Sequence, residues 1–241
     1  MEPLAELAKR LVSSLRGAER FEPNKWRAVR ETDQRLLMLP SDAALILGES
    51  PALGVPAFYA SREEVFPEGI YLLGNDLDQL GPHTSFARIV FVKLRNFFSY
   101  ERPNAFEKIK DIRNLLGTLH MEGIMVNDAP FDKQETVLFS SEGFSRLSFE
   151  SLGNNFINVL KSNSDVEKVA VAFVTLPSFP FGDCKRQAVQ ADETLEALAS
   201  LWQMDAKSCP QCPKKAFCDA NPWFKKLHDA RTKQKEANLK N

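Results

Sequence analysis

The chain has 241 residues, of which 44% are hydrophobic and 26% are charged, so it can bury a sizeable core and does not have the composition of a disordered protein. Its formal net charge of −1 gives no overall basic excess of the kind that favours binding to nucleic acid. The longest apolar runs, such as residues 169–174, have the length of a strand and not of a membrane-spanning helix.

The first predicted element is a helix near the amino terminus. Apolar residues recur every three or four positions from Leu4 to Leu15, which is typical of an amphipathic helix over residues 3–16. Charged residues are interspersed throughout this segment, so it lacks the uncharged apolar region of a secretory signal. We therefore expect a cytoplasmic protein that does not contact a membrane.

Several strands are predicted after this helix. Short apolar runs bounded by proline, glycine, serine or aspartate are typical of strands. Such runs occur at residues 35–39, 43–48, 57–60 and 70–74, and a longer one occurs at residues 86–94.

Helices and strands alternate in the second half of the chain. Residues 105–120 place apolar side chains at three- and four-residue steps behind Asn104, which can cap a helix. The remaining pattern predicts strands at 123–128, 136–140 and 166–176 and a helix at 151–161. This alternation predicts an α/β or α+β fold, in which helices cover a layered sheet.

The last 58 residues, from Cys184 to the end, have a different character. A helix is predicted at residues 187–204, a cysteine-rich loop follows it, and a polar helix begins with Pro222 in its first turn. Residues 207–241 contain nine of the 31 basic residues and three of the 32 acidic ones, so this segment is basic and the preceding chain is acidic. We expect an α/β body over residues 1–183 and a cysteine-cluster appendage with a basic C-terminal helix over residues 184–241.

The four cysteines of the chain are Cys184, Cys209, Cys212 and Cys218. In a reducing cytoplasm, clustered thiols are more often metal ligands than disulfides. A zinc ribbon normally has two C-x2-C pairs and this chain has one, whereas a [4Fe-4S] cluster accepts a compact three-cysteine loop with one remote cysteine. The spacing therefore favours a [4Fe-4S] cluster bound by all four cysteines, with zinc and unligated thiols as the open alternatives.

The C-x2-C-x5-C triplet with one upstream cysteine resembles the iron-sulfur staple of the CRISPR-associated RecB-type nucleases and exonuclease V. The match covers only the four cysteines. In those families the lone cysteine precedes the nuclease core, whereas here 24 residues separate Cys184 from Cys209. The acidic motifs of the nuclease core are also missing upstream. The resemblance therefore implies a cluster that holds the end of the chain against the body, and it does not imply nuclease activity.

Other candidate residues are few. His83 precedes the strongly apolar predicted strand at residues 86–94, in the kind of loop where functional residues often lie. Asp76 and Asp78 form a carboxylate pair, although alternate acids beside glycine are usually turn formers. Phe179 and Phe181 precede Cys184 closely enough to shield a cluster from water. The sequence contains no P-loop, dinucleotide-binding glycine motif, nucleophile elbow or C-x3-C-x2-C motif.

Two classes of function fit these features. In the first, the cluster is redox-active and the protein is an electron carrier that exchanges electrons with a redox partner protein, or a reductase-type oxidoreductase subunit. In the second, an iron-sulfur cluster or a zinc ion is a structural staple in a module that binds nucleic acid or another protein. The acidic body favours the first class, because nucleic-acid enzymes usually spread positive charge over the binding face.

Overall fold

A computed structural model describes residues 2–23, 43–61, 64–95, 105–117, 123–129, 133–203, 211–212 and 215–238. Its helices are α1 (Glu2–Ser13), α2 (Ala105–Gly117), α3 (Ser141–Arg146), α4 (Phe149–Lys161), α5 (Phe181–Gln203), α6 (Lys215–Ala220) and α7 (Pro222–Asn238). Its strands are β1 (Glu19–Phe21), β2 (Ala43–Tyr59), β3 (Gly69–Leu73), β4 (Thr84–Leu94), β5 (Ile124–Ala129), β6 (Gln134–Ser140) and β7 (Val166–Val174). No described helix is long and apolar enough to span a bilayer.

The strands form one seven-stranded sheet in the order β1-β3-β7-β4-β2-β6-β5. The sheet is mixed: β2 is parallel to β4 and β3 is parallel to β7, and every other neighbouring pair is antiparallel. Helices join and flank these strands, so the predicted α/β layered fold is confirmed.

Both faces of the sheet are covered. In the central strand β4, every residue from Phe86 to Leu94 is buried, which explains the nearly continuous apolar run in its sequence. Side chains on one face pack mainly with α2 and α4, and we call this cluster the α4-side core. Side chains on the other face pack with α1 and the first turns of α5, and we call this cluster the α1-side core.

Helix α5 takes part in both cores. Cys184 and Ala188 near its start belong to the α1-side core, whereas Ala191 and Leu195 belong to the α4-side core. The boundary expected between residues 183 and 184 falls inside this helix. The division into a body and an appendage stays a prediction.

Strand β2 differs from its prediction, because the runs at 43–48 and 57–60 belong to one strand interrupted by a bulge. Leu47 pairs with Thr84 of β4, but the next β2 residue in the ladder is Ala52, which pairs with Phe86. Ala52 is an odd number of positions after Leu47, whereas their partners in β4 are an even number of positions apart, so the bulge exchanges the faces to which alternate side chains point. Leu47 accordingly lies in the α4-side core, whereas Leu53 lies in the α1-side core.

The other long elements predicted from periodicity are present with small shifts at their ends, except that α5 begins at Phe181, well before the predicted start at residue 187, so Cys184 lies inside the helix and not ahead of it. The predicted strand at 35–39 lies outside the described residues. The short elements β1, α3 and α6 were not predicted, because three to six residues give too little periodicity to detect.

Helix α4 lies very close to the sheet at Gly153. A Cβ atom added at Gly153 would lie 2.6 Å from Cγ2 and 2.7 Å from Cγ1 of Ile70, which is fully buried in β3. The absence of a side chain at position 153 therefore sets how closely α4 approaches the strand.

We predict that Gly153→Ala destabilises the protein by about 1–3 kcal/mol, although alanine is the better helix former, because its Cβ would overpack the core against Ile70. Gly182→Ala in the first turn of α5 is the matched control, since only Arg186 Nη1 lies nearby, at 3.9 Å. Denaturant unfolding of both variants provides the measurement. Equal or greater stability of Gly153→Ala would contradict the close packing described here.

Candidate functional site

The described part of the cysteine loop consists of Cys212 and the helix α6 that contains Cys218. The backbone N–H of Lys215 donates to the carbonyl of Cys212 at 3.0 Å, and the N–H of Asn221 donates to the carbonyl of Cys218 at 3.2 Å. Both cysteine side chains are half-buried. Turn hydrogen bonds therefore fix the backbone at both positions, while neither thiol is enclosed in a core.

The loop is held against the body through aromatic side chains. The rings of Phe217 in α6 and Phe224 in α7 meet edge to face with their centroids 5.3 Å apart. Phe224 is buried in the α4-side core, and Phe217 and Cys218 pack against the same core. The position of the Cys218 thiol thus depends on the anchoring of α7 by Phe224.

Cys184 has a different environment. It is fully buried in the α1-side core together with Phe179 and Phe181, whose rings meet edge to face at 5.0 Å. Burial raises the pKa of its thiol to about 12, so the protonated form predominates at neutral pH. Packing alone therefore gives a reason for a cysteine at this position.

The structure thus places the predicted ligands in different surroundings. Cys212 lies just before α6, and Cys218 lies within α6. Cys184 lies in the α1-side core, and Cys209 lies outside the described residues. Among the residues that are described, no three or more cysteine, histidine or acidic side chains are grouped as metal ligands. Coordination by all four cysteines remains a prediction. Phe179 and Phe181 lie in the same core as Cys184, and their predicted role in shielding a cluster remains a prediction.

Two other candidate residues from the sequence, Asp76 and His83, make hydrogen bonds to the backbone of the fold. One carboxylate oxygen of Asp76, Oδ1, accepts hydrogen bonds from the N–H of Leu77 at 2.7 Å and of Phe149 at 2.9 Å, so it caps a short 3₁₀ turn and meets the start of α4. His83 is exposed with φ of 63°, and its N–H donates to the carbonyl of Ile46 at 2.9 Å. The turn-forming interpretation of the aspartate pair is therefore supported at Asp76.

Sequence reasoning missed a buried ion pair on the α4 side of the sheet. Arg88 of β4 and Glu135 of β6 are both buried; Arg88 Nε donates to Glu135 Oε1 at 2.7 Å and Nη2 donates to Oε2. The Arg88 guanidinium also lies 4.4 Å from the centre of the Phe156 ring of α4. The only signal in the sequence is a charged residue in the middle of a mostly apolar strand.

Gly54 makes this ion pair geometrically feasible. Strand β2 separates β4 from β6, and its residue Gly54 pairs with Arg88. A Cβ atom at Gly54 would lie 2.6 Å from Glu135 Oε2. The two charged side chains can therefore meet across β2 only because this position has no side chain.

A narrow cavity adjoins the ion pair. Its volume of about 20 Å³ is enough for one water molecule, and its walls are apolar apart from the ion pair itself. The lining residues are Phe86, Arg88, Ile124, Val126, Glu135, Val137, Phe139, Phe149, Leu152, Phe156 and Phe173. A space of this size does not accommodate an ordinary substrate.

A second ionic group connects two helices to the residue that precedes β6. Asp192 of α5 accepts from Arg113 of α2 at 2.5 Å through Oδ1 and from Lys133 through Oδ2. Lys133 is buried and has φ of 55°, a conformation that is uncommon for a residue other than glycine. Asp192 therefore ties α5, the helix that leads to the cysteine loop, to the rest of the fold.

No protein-family model matches the chain, and no curated protein matches it significantly.

We predict strong non-additivity at the buried ion pair. Arg88→Met and Glu135→Leu should each destabilise the protein by about 3–5 kcal/mol, because each leaves one buried charge uncompensated, and the double variant should lose less than the sum. Denaturant unfolding of the four proteins gives the coupling free energy. Additive effects would show that the two side chains do not form a coupled pair.

We also predict that Cys184 resists alkylation in the folded protein. Without bound metal, iodoacetamide at pH 8 should label Cys212 and Cys218 and leave Cys184 unlabelled, because its buried thiol has a pKa of about 12. Peptide mass spectrometry measures the labelling, and unfolding in urea should expose all sites. Labelling of Cys184 as fast as that of Cys212 in folded protein would contradict its burial.

The same raised pKa has a defined effect on stability. The folded-state pKa of Cys184 lies above the ordinary cysteine value of about 8.5. The stability contributed by the buried neutral thiol is therefore complete below that ordinary value and is lost as the pH rises towards 12.

Proposed function

We propose that the protein is an iron-sulfur protein in which the cysteine loop holds one [4Fe-4S] cluster that transfers electrons. The observation that carries this proposal is the contrast among the cysteines. Core packing accounts for Cys184, but Cys212 and Cys218 are half-buried thiols on a fixed backbone beside the core, and Cys209 is three residues away from Cys212 in sequence. Ligation gives these clustered thiols a role that packing does not.

The ligand chemistry supports iron and sulfur over zinc. The loop offers one C-x2-C pair and a third cysteine five residues later, whereas structural zinc sites close a tetrahedron with four protein ligands. Thiolates are the ligands that iron-sulfur clusters select, and three of them occupy three corners of a cubane.

The fourth corner has two candidate occupants. Cys184 is the ligand predicted from sequence spacing, and to serve it would have to leave the α1-side core or be reached by the loop there. Alternatively the fourth iron binds a small molecule or water, as in clusters that act on substrates. The burial of Cys184 favours the second assignment.

The position of the loop supports electron transfer. Cys212 and Cys218 are only partly covered by protein, so a cluster bound to them lies near the surface, where a partner can approach. Solvent exposure also influences the reduction potential of such clusters.

A structural staple in a nucleic-acid-binding or protein-binding module is the second candidate. The exposed lysines of α7 favour it, because basic helices bind phosphate groups. Reversible reduction of the cluster distinguishes electron transfer from a staple that remains in one oxidation state.

We predict that protein purified without oxygen is brown, absorbs broadly near roughly 400 nm and contains about four irons per chain. Cys212→Ala and Cys218→Ala should lose most of the iron, whereas Cys184→Ala should retain it if packing is the role of that thiol. Iron analysis and absorption spectra provide the measurement, and circular dichroism confirms that each variant is folded.

Two results decide between the alternatives. Loss of iron from a folded Cys184→Ala variant would assign the fourth corner to Cys184. Colourless wild-type protein with one tightly bound zinc per chain would contradict the iron-sulfur proposal.

A further inference from the structure

The helices next to the cysteine loop present a basic surface. Exposed lysines lie on α6 and α7, and we call them the basic face: Lys215, Lys225, Lys226 and Lys233. Two exposed acids, Asp219 and Asp229, lie on the same helices, so the described exposed charges there remain basic on balance. Elsewhere the chain is acidic overall, since 29 of its 32 acidic residues precede residue 207.

We propose that the basic face is the docking surface for a small acidic electron-transfer protein. This inference rests on the proposed function and names the partner that the cluster would serve. The inference goes beyond the presence of a cluster, because it names the surface at which the redox partner binds to give or take the electron.

The basic face and the thiols belong to the same local structure. Lys215 is three residues before Cys218 in α6, and its N–H is bonded to the carbonyl of Cys212. Lys225 follows Phe224, whose ring contacts that of Phe217 beside Cys218. A protein that binds these lysines therefore approaches the part of the chain that holds the proposed cluster.

The charge distribution favours one orientation of an acidic partner. Its approach to the acidic part of the chain is repelled and its approach to the basic face is attracted, which raises the rate of productive encounter. Exposed charges act mainly on association, so the effect should weaken as salt shortens the screening length.

A small protein fits this surface better than nucleic acid does. A redox protein in a transient complex contacts a limited area, whereas a nucleic acid extends beyond it and meets the acidic remainder of the chain. The observations thus favour an acidic protein, and binding of nucleic acid becomes an outcome of the test.

The test uses the intact iron-containing protein and a reduced plant-type [2Fe-2S] ferredoxin as a small acidic probe. Stopped-flow absorption measures the second-order rate constant for reduction of the cluster at low and high salt. We expect the wild-type constant to fall with salt, and the Lys225→Glu/Lys226→Glu variant to be slower by about tenfold at low salt.

The matched control is Lys110→Glu/Lys185→Glu. It makes the same change in net charge at exposed lysines of α2 and of the first turn of α5. This variant should react nearly as fast as the wild type, because the charges that it changes lie outside the basic face and are screened more strongly from a partner docked there.

Iron content and reduction by dithionite are measured on each protein, so the proposed function is tested separately. If all variants hold iron and dithionite reduces them, equal rates for the wild type and Lys225→Glu/Lys226→Glu would overturn the docking inference and leave the proposed function intact. Salt-dependent binding of a 20-base-pair duplex DNA, lost in the same variant without a change in rate, would overturn it in favour of nucleic acid. Absence of iron from the wild type would overturn both.

Discussion

The ion pair between Arg88 and Glu135 constrains the centre of the sheet. Removing two charges from water costs several kcal/mol for each, so each of these buried side chains needs the other as its partner. That requirement fixes the register of β4, β2 and β6 at once, because the pair forms across Gly54. The bulge in β2 contributes to the same constraint. It shifts the alternation of side chains after Leu47, and the strand that follows the bulge pairs Gly54 with Arg88.

Helix α5 connects this sheet to the proposed redox site. Its first turns bury Cys184 in the α1-side core, and its middle is bonded through Asp192 to Lys133 and Arg113. The loop that follows α5 contains the remaining cysteines, and Phe224 returns the chain to the α4-side core. A cluster in the loop would therefore be attached at both ends to packed parts of the body.

The sequence predicted most long elements because their periodicity is local. It did not predict the pairing of Arg88 with Glu135, which are 47 residues apart and meet only because a third strand has glycine between them. It divided β2 in two because Gly48 and Pro51 are usual turn residues, and here they occur within one strand. Cysteine spacing indicated a metal site, but spacing could not show that Cys184 is also a well-packed core residue.

The proposal of a redox-active [4Fe-4S] cluster in the cysteine loop can be tested by electron paramagnetic resonance of anaerobically purified protein, before and after reduction with dithionite. One added electron converts a diamagnetic [4Fe-4S]²⁺ cluster into a paramagnetic one. Under this proposal, the reduced protein gives a new signal that integrates to about one spin per chain and disappears on reoxidation. Protein that contains metal but gives no signal in either state, with no change in absorption on reduction, would contradict it.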